Sequence, residues 1–519
     1  MRWWAWHGVW LAAVAVIVIY AARGNWFFYD EWDFLRADMQ WNLLAPHNGH
    51  LSFFPRLLTA SVESVFGIGS YWPYLAWTIA AHLAVVHMLW RLMMRSGVAP
   101  VLAVALPAVF GVLASGGENT LWAFQVGFIT PIVTGIAALL IAMRPELGVW
   151  DPVRIAVLLL IGVGFASTAL PLVVAVCVYL VVRHGWRSAM IPFGAFVLVY
   201  GVWYLAFARG ATGADGFGVT SLSQLVIGVP EYVAYAFIDS LGKTLPAAAL
   251  APALLVAVII GAVVDISRRP LRDIGPAYAL LLAALGFALL TAFTRVGLGV
   301  ENASTGRYVY IYAALAVPVV GLLLTSLVRR RGVATAVVAA LLAVVFVFNA
   351  GGLVREGRNQ AELERTVERT ISAALTLDAP ASAEERSPAS VVAPTLTMRD
   401  VQNLVDDGTF TPVPFTPADL LSARVNLLLT AEPVTQEATD GACRTADGGW
   451  VPFDLAADLL TTDQAGFVNV VVTQDGVQSF GTRIPVHGGG TFLLDGIGPA
   501  DTSVLIDTAS AGGVCVLPR

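Results

Sequence analysis

Eleven long apolar runs constrain this chain more than any other feature of its sequence. A helix that crosses a bilayer needs about 20 apolar residues, and runs of roughly that length fall at 3–22, 71–93, 98–114, 124–143, 153–168, 169–183, 189–208, 244–265, 274–294, 307–328 and 332–352. Of the chain's residues, 57% are hydrophobic and only 13% are charged, whereas in soluble domains about a quarter of all residues are charged. The sequence therefore predicts an α-helical polytopic membrane protein. Its first run lacks a small-residue cleavage site and is predicted to stay as an anchor.

The arginines between these runs predict the orientation of the chain. One alternate set of connections holds most of them, and the other set has fewer. The first set holds Arg2, Arg91, Arg95, Arg144, Arg154, Arg183, Arg187, Arg268, Arg269, Arg272, Arg329, Arg330 and Arg331. By the positive-inside rule, this set faces the cytoplasm. An odd number of spans then places the N-terminus in the cytoplasm and the C-terminal domain outside it.

The loops on the predicted outer side collect charged and polar residues at the membrane boundary. Asp30, Glu31 and Asp33 follow the first run directly, and charge beside hydrocarbon is costly to desolvate. A partly desolvated carboxylate can serve as a general base, and the donor fork of arginine suits phosphate. The candidate substrate-binding residues of these loops are His47, Asn48, His50, Arg56, Glu118, Arg295, Glu301, Arg307 and Tyr308.

Three of these segments resemble the GT-C superfamily of membrane glycosyltransferases, which use polyprenyl-phosphate sugars as donors. They are the acidic stretch 30–33, the segment 47–58 with its His-Asn-Gly-His and Pro-Arg-Leu-Leu sequences, and the late loop with Arg295, Ser304 and Arg307-Tyr308. The resemblance covers roughly residues 1–330. It implies a GT-C-like fold, and it implies that Asp30 is the catalytic base, with Glu31 or Asp33 as substitutes. The motif here is Asp-Glu-Trp-Asp rather than a plain acidic pair.

The same resemblance implies a reaction and its partners. The donor would be a polyprenyl-phosphate sugar, the acceptor a glycan or a lipid, and membrane lipids would surround the protein. No cofactor and no nucleic-acid partner is predicted, although a divalent metal held by His47, His50 and a nearby acid stays open; Gly49 disfavours a helical turn there. No glycine-rich nucleotide loop is present. Simpler roles stay open too: solvated acids capping a helix, a polar turn at 47–50, and Arg307-Tyr308 as a boundary pair.

The chain changes character after residue 352. Residues 353–394 predict a charged helix and then a Pro/Ala/Ser-rich linker, and residues 395–519 predict an outward-facing β-sandwich, because short alternating runs are broken by Asp-Gly and Gly-Gly turns. Cys443 and Cys515 predict a disulfide there, whereas Cys177 lies within a span and is predicted to be a core residue. Trp450, Phe453, Phe480 and Phe492 are either a carbohydrate-stacking platform or core residues.

Two other classes of function compete with glycosyl transfer. A transporter or flippase of lipid-linked sugars would need ionisable residues inside the spans, for which Glu63 and His82 are the best candidates. A non-catalytic envelope assembly protein could be built around the C-terminal domain. A glycan polymerase or ligase that uses the same carrier lipid is a neighbouring enzymatic alternative.

Overall fold

The computed structural model describes residues 3–36, 41–209, 217–328, 332–434, 444, 450–462, 466–486, 490–497, 502–507 and 514–518. The chain divides into two compact units. The first, called here the helical unit, comprises Met1–Asn25, Gln40–Val62 and Trp72–Ala361. The second, called the mixed unit, comprises Trp26–Met39, Glu63–Tyr71 and Glu362–Arg519. The acidic segment that follows the first apolar run thus belongs to the same unit as the C-terminal region.

Most of the helical unit consists of long apolar helices. In chain order the helices up to residue 374 are α1 (Trp3–Ala21), α2 (Glu31–Leu35), α3 (Phe53–Phe66), α4 (Trp72–Arg95), α5 (Pro100–Phe110), α6 (Gly117–Leu121), α7 (Val126–Ala142), α8 (Asp151–Phe165), α9 (Ala169–His184), α10 (Arg187–Trp203), α11 (Val229–Thr244), α12 (Ala251–Arg268), α13 (Leu271–Arg295), α14 (Gly306–Val328) and α15 (Gly332–Ala374). Of these, α2 lies in the mixed unit, and so do the C-terminal ends of α3 (63–66) and α15 (362–374).

Nine helices in the described part of the chain are long and apolar enough to cross a membrane, or ten if a bent pair counts as one span. The bent pair joins Pro100–Gly111 to Ala114–Leu121 at an angle of 54°. The predicted runs 153–168 and 169–183 are the separate helices α8 and α9, of 15 and 16 residues. The protein is therefore multi-pass, as its composition predicts.

Helix α11 is long enough to cross a membrane, but residues near both of its ends contact the same loop, the connection between α13 and α14. Near its N-terminal end, Gly228 packs against the side chain of Val296. Near its C-terminal end, the Lys243 ammonium donates to the Ser304 carbonyl at 2.9 Å. Gly228 and Lys243 are about 22 Å apart along a helix, and both contact residues of the α13–α14 connection. A crossing helix would have its ends on opposite sides, about 30 Å apart. Helix α11 thus runs beside that loop. The sequence analysis predicted no apolar run between 208 and 244, whereas Gln224–Thr244 is long and apolar enough to cross a membrane.

The C-terminal part of the mixed unit begins with helices, which the sequence analysis did not predict. Helices α16 (Met398–Asp406) and α17 (Pro417–Leu428) occupy the start of the region predicted as β-rich from residue 395. Thr397 with Asp400 forms a complete capping box, and so does Thr416 with Asp419. Each box satisfies otherwise unpaired N–H groups in a first helical turn, so the strand prediction was wrong for these residues.

Two antiparallel sheets follow these helices and share one core. After the short hairpin β1 (Pro46–His47) and β2 (His50–Leu51), the strands are β3 (Thr430–Val434), β4 (Trp450–Phe453), β5 (Asp458–Thr462), β6 (Gly466–Gln474), β7 (Val477–Gln478), β8 (Thr482–Val486), β9 (Gly490–Asp495), β10 (Thr502–Asp507) and β11 (Cys515–Pro518). One sheet has the order β4-β10-β6-β7 with β8 also paired to β6, and the other has the order β11-β5-β9-β3. Residues of both sheets, such as Val470 and Phe492, belong to one buried cluster. This arrangement is the predicted sandwich.

The four aromatic side chains that the sequence analysis named in this sandwich differ in how far they are buried. Phe453 and Phe492 are buried in the core, whereas Trp450 is exposed and Phe480 is half-buried. Cys515 is buried on β11. Its predicted partner Cys443 lies outside the described residues, so the disulfide stays a prediction. Cys177 is buried in the core of the helical unit, as predicted.

Candidate functional site

Two of the predicted arginines meet on one aromatic ring in the helical unit. Tyr308, in the first turn of α14, is 3% exposed. The guanidinium carbon of Arg295 lies 5.8 Å from the centre of its ring, and that of Arg307 lies 5.5 Å from it. Phe287 packs edge-on against the same ring. Cation–π contacts of this kind hold guanidinium groups in place without consuming their N–H donors, so this contact leaves the donors of Arg295 available for an anionic ligand.

Glu118 is the carboxylate partner of Arg307. One of its oxygens accepts the Arg307 backbone N–H at 3.0 Å, and the other lies 3.2 Å from the Arg307 Nη1. Gly306 packs directly against this carboxylate, where a Cβ atom would lie 3.0 Å from Oε2. Glu118 therefore fixes the start of α14. Among the described residues, Arg295 has no carboxylate within ion-pair distance, which leaves its charge the less compensated of the two.

A third cation of this loop region was not singled out from the sequence. The Lys243 ammonium contacts the Asp239 carboxylate at 2.8 Å and the Ser304 hydroxyl at 2.9 Å. The Ser304 hydroxyl in turn donates to Asp239 at 2.6 Å. Two features of the sequence point to Lys243. It is the only lysine in a chain that has 29 arginines, and it follows Asp239 at the i,i+4 spacing of helical ion pairs. Glu301, on the same loop, is exposed.

The His-Asn-Gly-His segment forms a β-hairpin in the helical unit. Asn48 and Gly49 have φ angles of 48° and 76°, and these positive values are typical of a type I′ two-residue turn. His47 and His50 are directly opposite each other across it. His47 is buried and packs edge-on against Phe124, while His50 is half-buried. Arg56 follows in the first turn of α3 and is fully buried. The polar-turn interpretation is correct for the backbone of this segment.

The three carboxylates of the acidic segment, in the mixed unit, have different environments. Glu31 is 6% exposed; one of its oxygens accepts the Phe28 backbone N–H at 2.9 Å, and the other accepts the Tyr71 hydroxyl at 2.8 Å. Asp30 immediately precedes α2, and Asp33 lies one turn later. Both are half-buried, and an oxygen of one lies within 4.8 Å of an oxygen of the other. Glu31 thus has a structural role, whereas Asp30 and Asp33 are half-buried and lie close together.

An aromatic cluster fixes the acidic segment within the mixed unit. Trp26, Phe27 and Trp32 are buried and pack on one another, Phe27 also packs on Tyr71, and Trp26 packs on Phe410. The backbone N–H of Trp26 donates to the fully buried Glu364 at 2.7 Å. Buried and bonded in this way, the segment is not a solvated cap, and its aromatic neighbours bury it as the sequence suggested.

Two ionisable residues, His82 and Glu63, were the candidates for a transport function. His82 forms hydrogen bonds inside the protein, and Glu63 lies on a helix that is too short to span a membrane. His82 is fully buried, and its two ring nitrogens lie 2.9 Å from the Tyr310 hydroxyl and from the Gly111 carbonyl, which follows α5 at the bend. Glu63 lies on α3, a helix of 14 residues that is shorter than a span. Burial raises the pKa of its carboxyl. His82 is thus engaged in hydrogen bonds within the helical unit, and Glu63 lies outside the candidate spans.

The chain matches no protein-family model and no curated protein. Among solved structures, the crystal structure of ArnT from Cupriavidus metallidurans bound to undecaprenyl phosphate is 14% identical, with a TM-score of 0.47, over 81% of this chain and 88% of that one. The apo crystal structure of ArnT from the same organism is 15% identical, with a TM-score of 0.42, over 72% of this chain and 81% of that one. TM-scores below 0.5 do not establish a common fold, so the functional assignment rests on the residues of this chain.

Proposed function

We propose that this protein is a membrane glycosyltransferase that moves a sugar from a polyprenyl-phosphate donor to a glycan or lipid acceptor at the outer face of a bacterial cytoplasmic membrane. The observation that carries the proposal is the convergence of Arg295 and Arg307 on the buried ring of Tyr308, where α13 ends and α14 begins. Fixed guanidinium groups at the end of apolar helices suit a ligand with a phosphate head and a hydrocarbon tail.

The proposed reaction is a direct displacement at the anomeric carbon. A carboxylate takes the proton of the acceptor hydroxyl, whose oxygen forms a bond to that carbon. The bond between the carbon and the donor phosphate oxygen breaks, and its electron pair leaves with the polyprenyl phosphate. Arg295 and Arg307 stabilise the negative charge that develops on the phosphate. The products are the glycosylated acceptor, the polyprenyl phosphate and a protonated carboxyl group.

The environments of the three carboxylates support a division of roles. Glu31 has both oxygens in hydrogen bonds to Phe28 and Tyr71, so we assign it to holding the segment. Asp30 is the proposed base, and Asp33 is its neighbour on the next helical turn. A substrate hydroxyl can approach either of these half-buried groups from solvent.

The test combines substitution with glycolipid profiling of the host. Asp30→Asn should lower transfer by about 10² to 10⁴, the usual contribution of a general base, with the melting temperature unchanged. Glu31→Gln should instead destabilise the fold, by about 1–3 kcal/mol for the disturbed buried bonds. Asp475→Asn is a matched control, because Asp475 is exposed in an Asp-Gly turn with a φ of 51° that asparagine also adopts.

The readouts are the envelope glycolipids of a deletion strain complemented with each variant, and the thermal unfolding of the purified proteins. If Asp30→Asn and Asp33→Asn both restore the wild-type profile while the deletion strain differs, the assignment of the base is wrong. If the deletion strain itself has an unchanged set of envelope glycans, the proposed glycosyl transfer is wrong.

A further inference from the structure

A cavity of about 600 Å³ lies between the C-terminal ends of α4 and α7. Three arginines line it, Arg91 and Arg95 from α4 and Arg144 from the residues after α7. Its remaining walls are apolar, with Met88, Leu140 and Ile141 among them, and no acidic side chain belongs to the described lining. We propose that this cavity binds the phosphate of an anionic phospholipid headgroup.

The charges of the cavity are only partly compensated. Arg144 donates to both oxygens of Asp151, at 2.7 and 2.9 Å. Asp151 also accepts from the Gly148 N–H at 2.9 Å and from Arg154 at 3.3 Å. The Gly148 hydrogen bond and the two guanidinium groups hold the pKa of Asp151 below its ordinary value, so this carboxylate stays charged and two arginines share it.

Arg91 and Arg95 supply the remaining positive charge. They are one helical turn apart on the same helix, and in the part of the chain that the structure describes no carboxylate pairs with either. Arg95 uses its Nη1 to bond the Leu140 carbonyl at 3.2 Å. A guanidinium group has five N–H donors, so this cap on α7 leaves Arg95 able to bind a phosphate oxygen.

The position of the cavity favours a lipid over a free anion. Both α4 and α7 are among the apolar candidate spans, and the cavity lies where they end, at the level of headgroups. Its apolar walls match the glycerol and first methylenes of a phospholipid. Basic pockets between membrane helices on the predicted cytoplasmic side are suited to acidic headgroups.

The structure around α7 keeps these walls in place. The Ala142 carbonyl accepts from His184 at 2.8 Å, and the Met143 carbonyl accepts from Arg183 at 3.1 Å. Because α9 supplies these caps, Arg91 is not needed to satisfy the end of α7. Substitution of Arg91 therefore tests ligand binding with small effects on the helix itself, whereas substitution of Arg95 also removes its hydrogen bond to the Leu140 carbonyl.

The experiment compares lipid retention by the full-length protein in detergent micelles, using native mass spectrometry with added phosphatidylglycerol or phosphatidylcholine. The wild type should retain one phosphatidylglycerol and no phosphatidylcholine. The Arg91→Gln/Arg95→Gln double variant should bind phosphatidylglycerol about thirtyfold more weakly, the loss expected for two charges near a headgroup. Arg91→Lys/Arg95→Lys keeps the charge and should stay within about threefold of wild type by the same principle.

A double variant outside the cavity, Arg187→Gln/Arg268→Gln, is the charge-matched control and should bind like the wild type. Equal retention by the glutamine double variant and the wild type would overturn the site. Displacement of phosphatidylglycerol by millimolar inorganic phosphate would overturn the assignment to a lipid. If the glutamine variant does not fold, retention by the lysine variant still decides: preserved one-to-one binding supports the site, and loss of charge preference contradicts it.

Discussion

Tyr308 is the residue on which the proposed phosphate site depends. Its ring lies between two guanidinium groups that come from different helices, Arg295 at the end of α13 and Arg307 at the start of α14. The sequence offered a simpler interpretation, an arginine and a tyrosine at a membrane boundary. A tyrosine of the aromatic belt would be accessible, whereas Tyr308 is buried.

Replacing this ring should weaken the use of the donor. We expect Tyr308→Leu to lower kcat/KM for the polyprenyl-phosphate sugar about 5- to 30-fold, because each lost cation–π contact contributes about 0.5–1 kcal/mol. Tyr308→Phe keeps the ring and should stay within about twofold of the wild type by the same principle. Initial rates measured with purified protein and varied donor check this. Equal losses in both variants would mean that the hydroxyl, and not the ring, is what matters.

The sequence could identify the acidic segment but could not show which of its three carboxylates has a structural role and which could act as a base. Asp30, Glu31 and Asp33 have similar chemistry and lie within four consecutive positions. What distinguishes Glu31 is the Tyr71 hydroxyl, which is 40 residues away in the chain. The pairing of Glu118 with Arg307 has a separation of 189 residues. Contacts of this range depend on tertiary packing, and no local pattern encodes them.

At the scale of elements, hydropathy predicted most of the candidate spans because each is a continuous apolar run, but it missed Gln224–Thr244. It did not predict α16 and α17, although Thr397-Met-Arg-Asp400 and Thr416-Pro-Ala-Asp419 have the spacing of capping boxes. The strand-like alternation farther along the chain predicted a β-rich region from residue 395, but that pattern does not extend to these two helices. The hairpin at 47–50 had an equally local signal in Asn48-Gly49.

Helix α11 gives a sharp prediction about elements. If it runs along one face of the membrane, single cysteines placed before and after it, Ser223→Cys and Ala247→Cys, should both react with a membrane-impermeant maleimide in intact cells. Ser223 and Ala247 are exposed in the structure. Labelling of the wild type gives the background from the native cysteines. Reaction of one position in intact cells and of the other only after permeabilisation would show that α11 crosses the membrane.

At the scale of the whole molecule, the number of helices that cross the membrane between two loops determines whether those loops lie on the same side of it. Glu146 lies between α7 and α8, Glu301 lies between α13 and α14, and both are exposed. We predict that α11 lies along the surface and that the five helices between them, α8, α9, α10, α12 and α13, all cross the membrane. An odd number of crossings would put the two loops on opposite sides of the membrane.

The arginine distribution predicts which side each loop occupies. Glu301→Cys should therefore be labelled by an impermeant maleimide in intact cells, and Glu146→Cys only in permeabilised cells. The reverse pattern would invert the proposed orientation and place the carboxylate segment in the cytoplasm. Labelling of both loops from one side would contradict the number of crossings.

The sequence placed a boundary near residue 352, where the apolar texture ends. The structure divides the chain differently, because the short segments Trp26–Met39 and Glu63–Tyr71 pack with Glu362–Arg519. Their aromatic residues are indistinguishable in composition from those of an interfacial helix. Only their burial against residues such as Phe410 reveals which part of the chain they belong to.

The hydrogen bond from Trp26 to Glu364 joins residues 338 positions apart, and this separation has a consequence for biosynthesis. At about 5–20 residues per second, the ribosome adds Glu364 roughly 17 to 70 s after Trp26. During that interval the nascent acidic segment has emerged without the partners that will bury its tryptophans. A chaperone or an insertase that shields exposed aromatic surface would have to act throughout this interval. A slow stretch of codons ahead of residue 362 would lengthen the interval.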